Sequence, residues 1–272
     1  MRRFSADYLA TTRREMWTGD RDALEPLEIS ERDRILDVGC GTGAFTAVLA
    51  SEATPETMVV GVDADRSLLD HIDAEIPVAG DACRLPFADD SFDLVVCQTL
   101  LINLPDPDVA VEEFKRVARE TVAVIEPDNS AVTVSSTVET EPSLARRMRQ
   151  AYIDGIDSDV TLGSDAVELF ADAGFDAIDT RRHDHVKRIE PPYSEADLTV
   201  AREKATGSAL DDVQSTLLAG DMSVDEFERF REEWRTMGRS VAEGMQDRTY
   251  RRVETVPFFV TIGRVPIDDG RE

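Results

Sequence analysis

The sequence predicts an α/β fold: a mostly parallel sheet with helices on both faces, elaborated by a helical insert. Two observations carry this. Short β-branched apolar runs alternate with helical patterns up to about residue 130, and beyond it the alternation gives way to long helical periodicities. With 272 residues, 42% hydrophobic and 32% charged, the chain suits a folded globule with a substantial core.

Residues 34–38 (RILDV), 58–63 (MVVGVD), 92–97 (FDLVVC) and 121–125 (TVAVI) read as strands buried on both faces. Between the first two, residues 43–52 put Phe45, Val48 and Leu49 on one helical face. Residues 106–119 read as a second helix, with Asp106 as N-cap and Pro107 at its first position. Leu144, Met148 and Tyr152 mark a further helix, Ser164 opens another that stops near Gly174, and 175–183 reads as a strand. In the additional region 191–250, Ser223 and Glu226 have capping-box spacing. Val224, Phe227, Phe230, Trp234, Met237, Val241 and Met245 then recur every three or four residues, predicting one long amphipathic helix. TVPFFVTIG at 255–263 reads as the last strand.

The strongest chemical signal is ILDVGCGTGAF, a buried strand that runs through a glycine loop into a helix. Gly39, Gly41 and Gly43 let the backbone turn tightly beside a ligand, and the helix start presents free N–H groups to it. The loop alone is ambiguous, since Gly39, Gly41 and Ala44 also fit a dinucleotide site. Asp63, at the end of the second strand, can accept both ribose hydroxyls, which suits either ligand. Asp81-Ala82, in AGDACRLPFADDSFDLVV, adds a third loop that feeds the next strand.

LDVGCGTG, VGVD, GDA and LPFADDSFDLVVCQTLLINLPDP, in this order and spacing over residues 30–130, resemble the class I S-adenosylmethionine-dependent methyltransferases, particularly the type 11 group related to ubiquinone/menaquinone methyltransferases. The resemblance implies S-adenosylmethionine as cofactor and a Rossmann-like sheet of seven strands with the last antiparallel. It implies Asp37 and Gly39 near the methionine moiety, with Gly41 and Gly43 shaping the loop. Asp63 would hold the ribose, Ala64 would pack beside the adenosine, and Asp81 with Ala82 would address the adenine. Cys97, Gln98 and Thr99 would border cofactor and substrate entrance. It further implies a cofactor-binding core at 31–130 and an N-terminal helical lid at 1–30 bearing Tyr8, Arg13, Met16 and Trp17, while chain length and the break in rhythm after residue 130 predict one methyltransferase domain over 1–272 with helical inserts at 131–160 and 191–250 as a substrate cap. A helix docked on the sheet is the alternative for the lid.

Methyl transfer needs no protein nucleophile, and a general base only for some acceptors. Glu126 and Asp128, just beyond the strand 121–125, are the candidate bases, with Gln98 and Asn103 as positioning groups. His183 and His185 flank Asp184 on one strand face as a conceivable metal pair, but no third ligand is placed by spacing, and a solvated strand end is the plainer reading. No metal is expected. His71 reads as surface, Cys40 as a small loop residue, and the 227–245 stripe as core rather than pocket lining.

The net charge of −26, from 30 basic and 56 acidic residues, opposes nucleic acid and anionic membranes as partners and favours a small-molecule substrate. Only Lys115, Lys187 and Lys204 are lysines, and this near-replacement of lysine by arginine with high acidity predicts a halophilic protein. An ordinary acidic protein is the alternative. Cys40, Cys83 and Cys97 form no CxxC pair, which predicts a reducing, cytoplasmic setting. Neither a signal peptide nor a membrane-inserted segment is expected. Two other functions stay open: an NAD-dependent oxidoreductase, and a non-catalytic binding partner that keeps the fold.

Overall fold

The computed structural model describes residues 15–17, 19, 21–72 and 76–266, and Tyr8 and Arg13 lie outside them. The chain forms two compact units: unit 1 comprises 1–127, 162–183 and 258–272, and unit 2 comprises 128–161 and 184–257.

Unit 1 holds β1 (Arg34–Val38), α1 (Ala44–Glu52), β2 (Met58–Asp63), the short α2 (Arg66–Leu69), β3 (Ile76–Ala79), β4 (Phe92–Gln98), α3 (Pro107–Val117) and β5 (Ala118–Pro127). The first five strands are parallel in the order β3-β2-β1-β4-β5. The register sets Leu36 between Val60 and Val95. The middles of β1, β2, β4 and β5 are mainly apolar because both sheet faces are covered there. Leu36, Val38, Val95 and Val124 join Phe114 of α3 and Phe170 on one face, whereas Ile35, Leu94, Val96 and Ile125 join Phe45 and Leu49 of α1 on the other. Pro107 opens α3 as expected, but Asp106 makes no side-chain cap bond there. Unit 1 also contains α4 (Ala166–Asp172), which ends at Gly174 with φ +70°.

The last strand, Arg252–Arg264, is antiparallel: its residues 258–264 pair with β5, Ile125 facing Val260. In unit 2 its residues 252–255 pair with a four-residue strand, Thr133–Ser136, that the sequence pattern did not reveal. The strand foreseen at 175–183 runs from Asp176 to Ile189 and also pairs with the last strand, giving eight strands among the described residues where seven were expected.

The helices of unit 2 are Glu141–Asp154, Glu195–Thr206, Ser208–Asp211, Gln214–Ala219 and Val224–Gln246. Ser223 and Glu226 close the foreseen capping box on the last of these. Phe227, Phe230, Trp234, Met237, Val241 and Met245 are buried in a core of their own with Leu144, Ala201, Leu217 and Tyr250, so the stripe is core. Val224, at the first helical position, is instead 61% exposed. Among the described residues no helix is long and apolar enough to cross a membrane.

Candidate functional site

β1 ends in Asp37, a buried carboxylate whose Oδ2 accepts from Thr46 Oγ1 of α1 at 2.7 Å. That bond ties the end of β1 to the first turn of α1. Between them Gly39, Gly41 and Gly43 have φ of +71°, +57° and +80°, a region costly for any residue with a Cβ. A Cβ would also crowd its neighbours, lying 2.8 Å from Leu100 Cδ1 at Gly39 and 2.9 Å from Ile72 Cγ1 at Gly43, so that those side chains would have to shift. The N–H groups of Gly39 and Cys40 both donate to the Val62 carbonyl, at 2.7 and 3.1 Å, which hangs the loop on β2.

Asp63, at the end of β2, is 6% exposed. Its Oδ2 accepts from Gly41 N–H at 2.9 Å and its Oδ1 from Asp65 N–H at 2.8 Å, so one carboxylate locks the glycine loop to the turn after β2. Ala64 is exposed beside it. The Gly80 N–H donates to the Asp63 carbonyl at 3.0 Å, bringing the third loop to the same strand end. There Asp81 is exposed, its Oδ1 accepting from Cys83 N–H at 2.9 Å, while Ala82 is buried. Burial, then the charges of Asp81, Asp106, Asp108 and Glu113, push the Cys83 thiol above its ordinary value, so it stays protonated at neutral pH.

Past β4 the chain turns at Thr99, which has φ +54° and donates its N–H to the Ile125 carbonyl at 2.9 Å. The Thr99 carbonyl accepts from Asn103 Nδ2 at 2.8 Å. Glu126, fully buried on β5, clamps this turn: Oε1 accepts from the N–H groups of Leu100 and Leu101 at 2.9 and 2.8 Å, with Cys97 Sγ at 3.8 Å. Gln98 is buried and faces the N-terminal segment, accepting from Trp17 Nε1 at 3.2 Å and donating to Met16 Sδ at 2.9 Å. Trp17 in turn stacks on His183 at 4.9 Å. This overturns the solvated-strand reading of His183, which is half-buried; His185 is buried. Among the described residues no three His, Cys, Asp or Glu side chains gather as metal ligands. In unit 2, Asp128 is half-buried and its Oδ1 accepts from Ser130 N–H and Oγ at 2.9 and 2.6 Å.

The donor set suits an adenosyl sulfonium ligand. Three glycines leave room for close backbone approach, and each Asp63 oxygen keeps a lone pair beyond the one already engaged. Sequence reasoning missed Thr46, the Trp17–Gln98 bond and the clamp role of Glu126. The only local hint was a polar residue at the end of an apolar run.

Residues 36–125 match the family model described as a methyltransferase domain. A demethylmenaquinone methyltransferase of Lactobacillus johnsonii is 32% identical over 126 residues, covering 43% of this chain and 49% of that protein. One from Staphylococcus aureus is 34% identical over 103 residues, covering 35% of this chain and 43% of that protein. The chain thus spans about half, or less, of the length of these curated relatives. A candidate methyltransferase of Bacillus halodurans, solved by crystallography, aligns over 91% of this chain and 100% of its own with a TM-score of 0.51 at 17% identity, a likeness of fold. Over residues 36–125 the chain is thus similar to the S-adenosylmethionine-dependent methyltransferase domains of these relatives.

Proposed function

We propose that the protein transfers a methyl group from S-adenosylmethionine to a small-molecule acceptor. The observation that carries this reading is the joining of the left-handed glycine loop to Asp63 through Gly41, inside the segment that matches the family. When bound, the cofactor supplies an electrophilic methyl on a sulfonium. Gly39, Gly41 and Gly43 would admit its methionine end beside Asp37, Asp63 would accept its ribose hydroxyls, and Ala64, Asp81 and Ala82 would border its base. Cys97, Gln98 and Thr99 would edge the acceptor's entry, with the Met16–Trp17 segment closing over Gln98.

Rate would come chiefly from positioning, with the acceptor atom held roughly 3 Å from the methyl carbon and in line with the leaving sulfur. Glu126 serves this as the clamp of the turn after β4. Its full burial and three donors on one oxygen favour that role over proton transfer, which we give to Asp128 for acceptors that must lose a proton. A neutral amine acceptor would need neither. The helical stretches 131–160 and 191–250 would choose the acceptor, and the net charge of −26 favours a small molecule over nucleic acid. The lack of any CxxC pair among Cys40, Cys83 and Cys97 favours a reducing, cytoplasmic setting.

The test is calorimetric titration in about 1 M KCl, where surface repulsion is screened, with S-adenosylmethionine, S-adenosylhomocysteine and NAD in parallel. The first two should bind, and Asp63→Ala, shown folded by circular dichroism, should weaken both by about tenfold or more. NAD binding alone would sink the reading in favour of an oxidoreductase; no binding of any of the three would favour a non-catalytic partner.

A further inference from the structure

Unit 2 carries a charged cluster that methyl transfer leaves unused. Glu141, 1% exposed, receives Ser136 Oγ at 2.6 Å, the Tyr250 hydroxyl at 2.9 Å and Lys204 Nζ at 2.5 Å, with Arg252 Nε 3.3 Å away. Glu254 pairs with an Arg252 Nη at 2.6 Å and an Arg149 Nη at 3.6 Å, and it also feels the Lys187 charge. Four cations, Arg149, Lys187, Lys204 and Arg252, therefore face two carboxylates.

That excess is opposite in sign to the molecule's net −26, and it contains two of the only three lysines in the chain. Glu141 is already engaged by Ser136, Tyr250 and Lys204 and shares Arg252 with Glu254, while Arg149 pairs with Glu254 at 3.6 Å. Arg252 Nε is buried without a hydrogen bond, and the other Arg149 Nη reaches only the Val132 carbonyl at 3.3 Å. The two guanidinium side chains keep 15% and 13% exposure, largely desolvated yet reachable from solvent. Burial, with the Arg252 charge added, holds the Arg149 guanidinium below its ordinary value even though Glu254 acts to raise it.

We propose that Arg149 and Arg252, with Lys187, bind a small oxyanion: the carboxylate or phosphate group of a small molecule. Two guanidinium forks suit a planar or tetrahedral oxyanion, which would satisfy the Arg252 Nε donor and balance the surplus charge. An ion network serving only to hold unit 2 together would need no surplus of cations.

The test titrates the full chain with inorganic phosphate and, separately, with acetate, at fixed ionic strength in KCl. At least one anion should bind saturably at one site per chain, and the one that binds names the group as phosphate or carboxylate. Arg149→Gln should weaken it by about tenfold and Arg149→Lys by less, because the charge stays while the fork is lost. If Arg149→Gln does not fold by circular dichroism, Lys187→Gln on a half-buried strand position reads the same loss. No saturable binding of either anion, or unchanged affinity in both glutamine variants, overturns the proposal. None of these outcomes depends on methyl transfer.

Discussion

Glu126 shows how much one buried carboxylate can determine. Its Oε1 is the acceptor for two consecutive backbone N–H groups in a turn that contains a left-handed threonine. Replacing it by leucine would leave both N–H groups buried without that acceptor, at about 1–3 kcal/mol each. Glutamine keeps a carbonyl oxygen in the same place. Glu126→Leu should therefore lose about 2–6 kcal/mol in urea unfolding and most of its cofactor affinity, while Glu126→Gln stays within about 1 kcal/mol of the parent. A Glu126→Leu variant as stable as the parent would dispose of the clamp; turnover destroyed in Glu126→Gln, with stability and cofactor affinity intact, would return Glu126 to the role of base. Gly43→Ala meets both a φ of +80° and the Ile72 side chain, so it should weaken cofactor binding more than its stability cost of about 1–2 kcal/mol would suggest.

Among the elements, the helix Val224–Gln246 has a start that the sequence specifies through reciprocal bonds between Ser223 and Glu226. Ser223→Ala should cost about 1 kcal/mol. The chain's two tryptophans give a direct reading of it, since Trp17 lies in unit 1 and Trp234 in the core of unit 2. In a Trp17→Phe background, Trp234 fluorescence should report an earlier urea midpoint for Ser223→Ala; an unchanged midpoint would mean that packing of the Phe227–Met245 face holds the helix without its cap. β1, β2, β4 and β5 were legible in the sequence because strands covered on both faces carry runs of consecutive apolar residues. Thr133–Ser136 was not, being short, hydroxyl-rich and only half-buried, and the continuation of the strand past 183 was hidden because 184–188 is polar except at Val186. The glycine loop was legible since its conformation is a local property of three glycines. The bond between Trp17 and Gln98 spans 81 residues, and the Glu141 cluster gathers side chains from four separate elements. No local pattern encodes either.

For the whole molecule, two electrostatic effects act in opposite directions as pH falls from neutral. General repulsion among 56 acidic and 30 basic residues fades as the pH nears the isoelectric point of about 4.4, which stabilises the compact state. Glu141 and Glu254 work the other way. Burial alone would raise both, but Lys204 brings Glu141 and Arg252 brings Glu254 below the ordinary value of 4.5. Because these folded-state values lie below the unfolded one, the stability they add is present above about pH 4.5 and is lost as the pH falls through their folded values. In dilute buffer the melting temperature should thus rise from pH 7 towards about pH 5 and drop steeply below about 4.5. Salt separates the two contributions. Raising KCl from about 0.1 M to 1 M shortens the screening length from about 10 to about 3 Å, which removes surface repulsion but screens buried pairs much less. Exposed Arg–Glu and Arg–Asp pairs weaken as well, yet each is worth only about 0–1 kcal/mol, too little to offset relief of so large a net charge. At pH 7 the melting temperature should therefore climb with KCl, and at about 1 M KCl the rise between pH 7 and pH 5 should flatten while the acid loss remains. Greatest stability in dilute buffer at pH 7 would refute the halophilic reading, and an acid limb absent from Glu141→Gln would trace that loss to the Glu141 cluster.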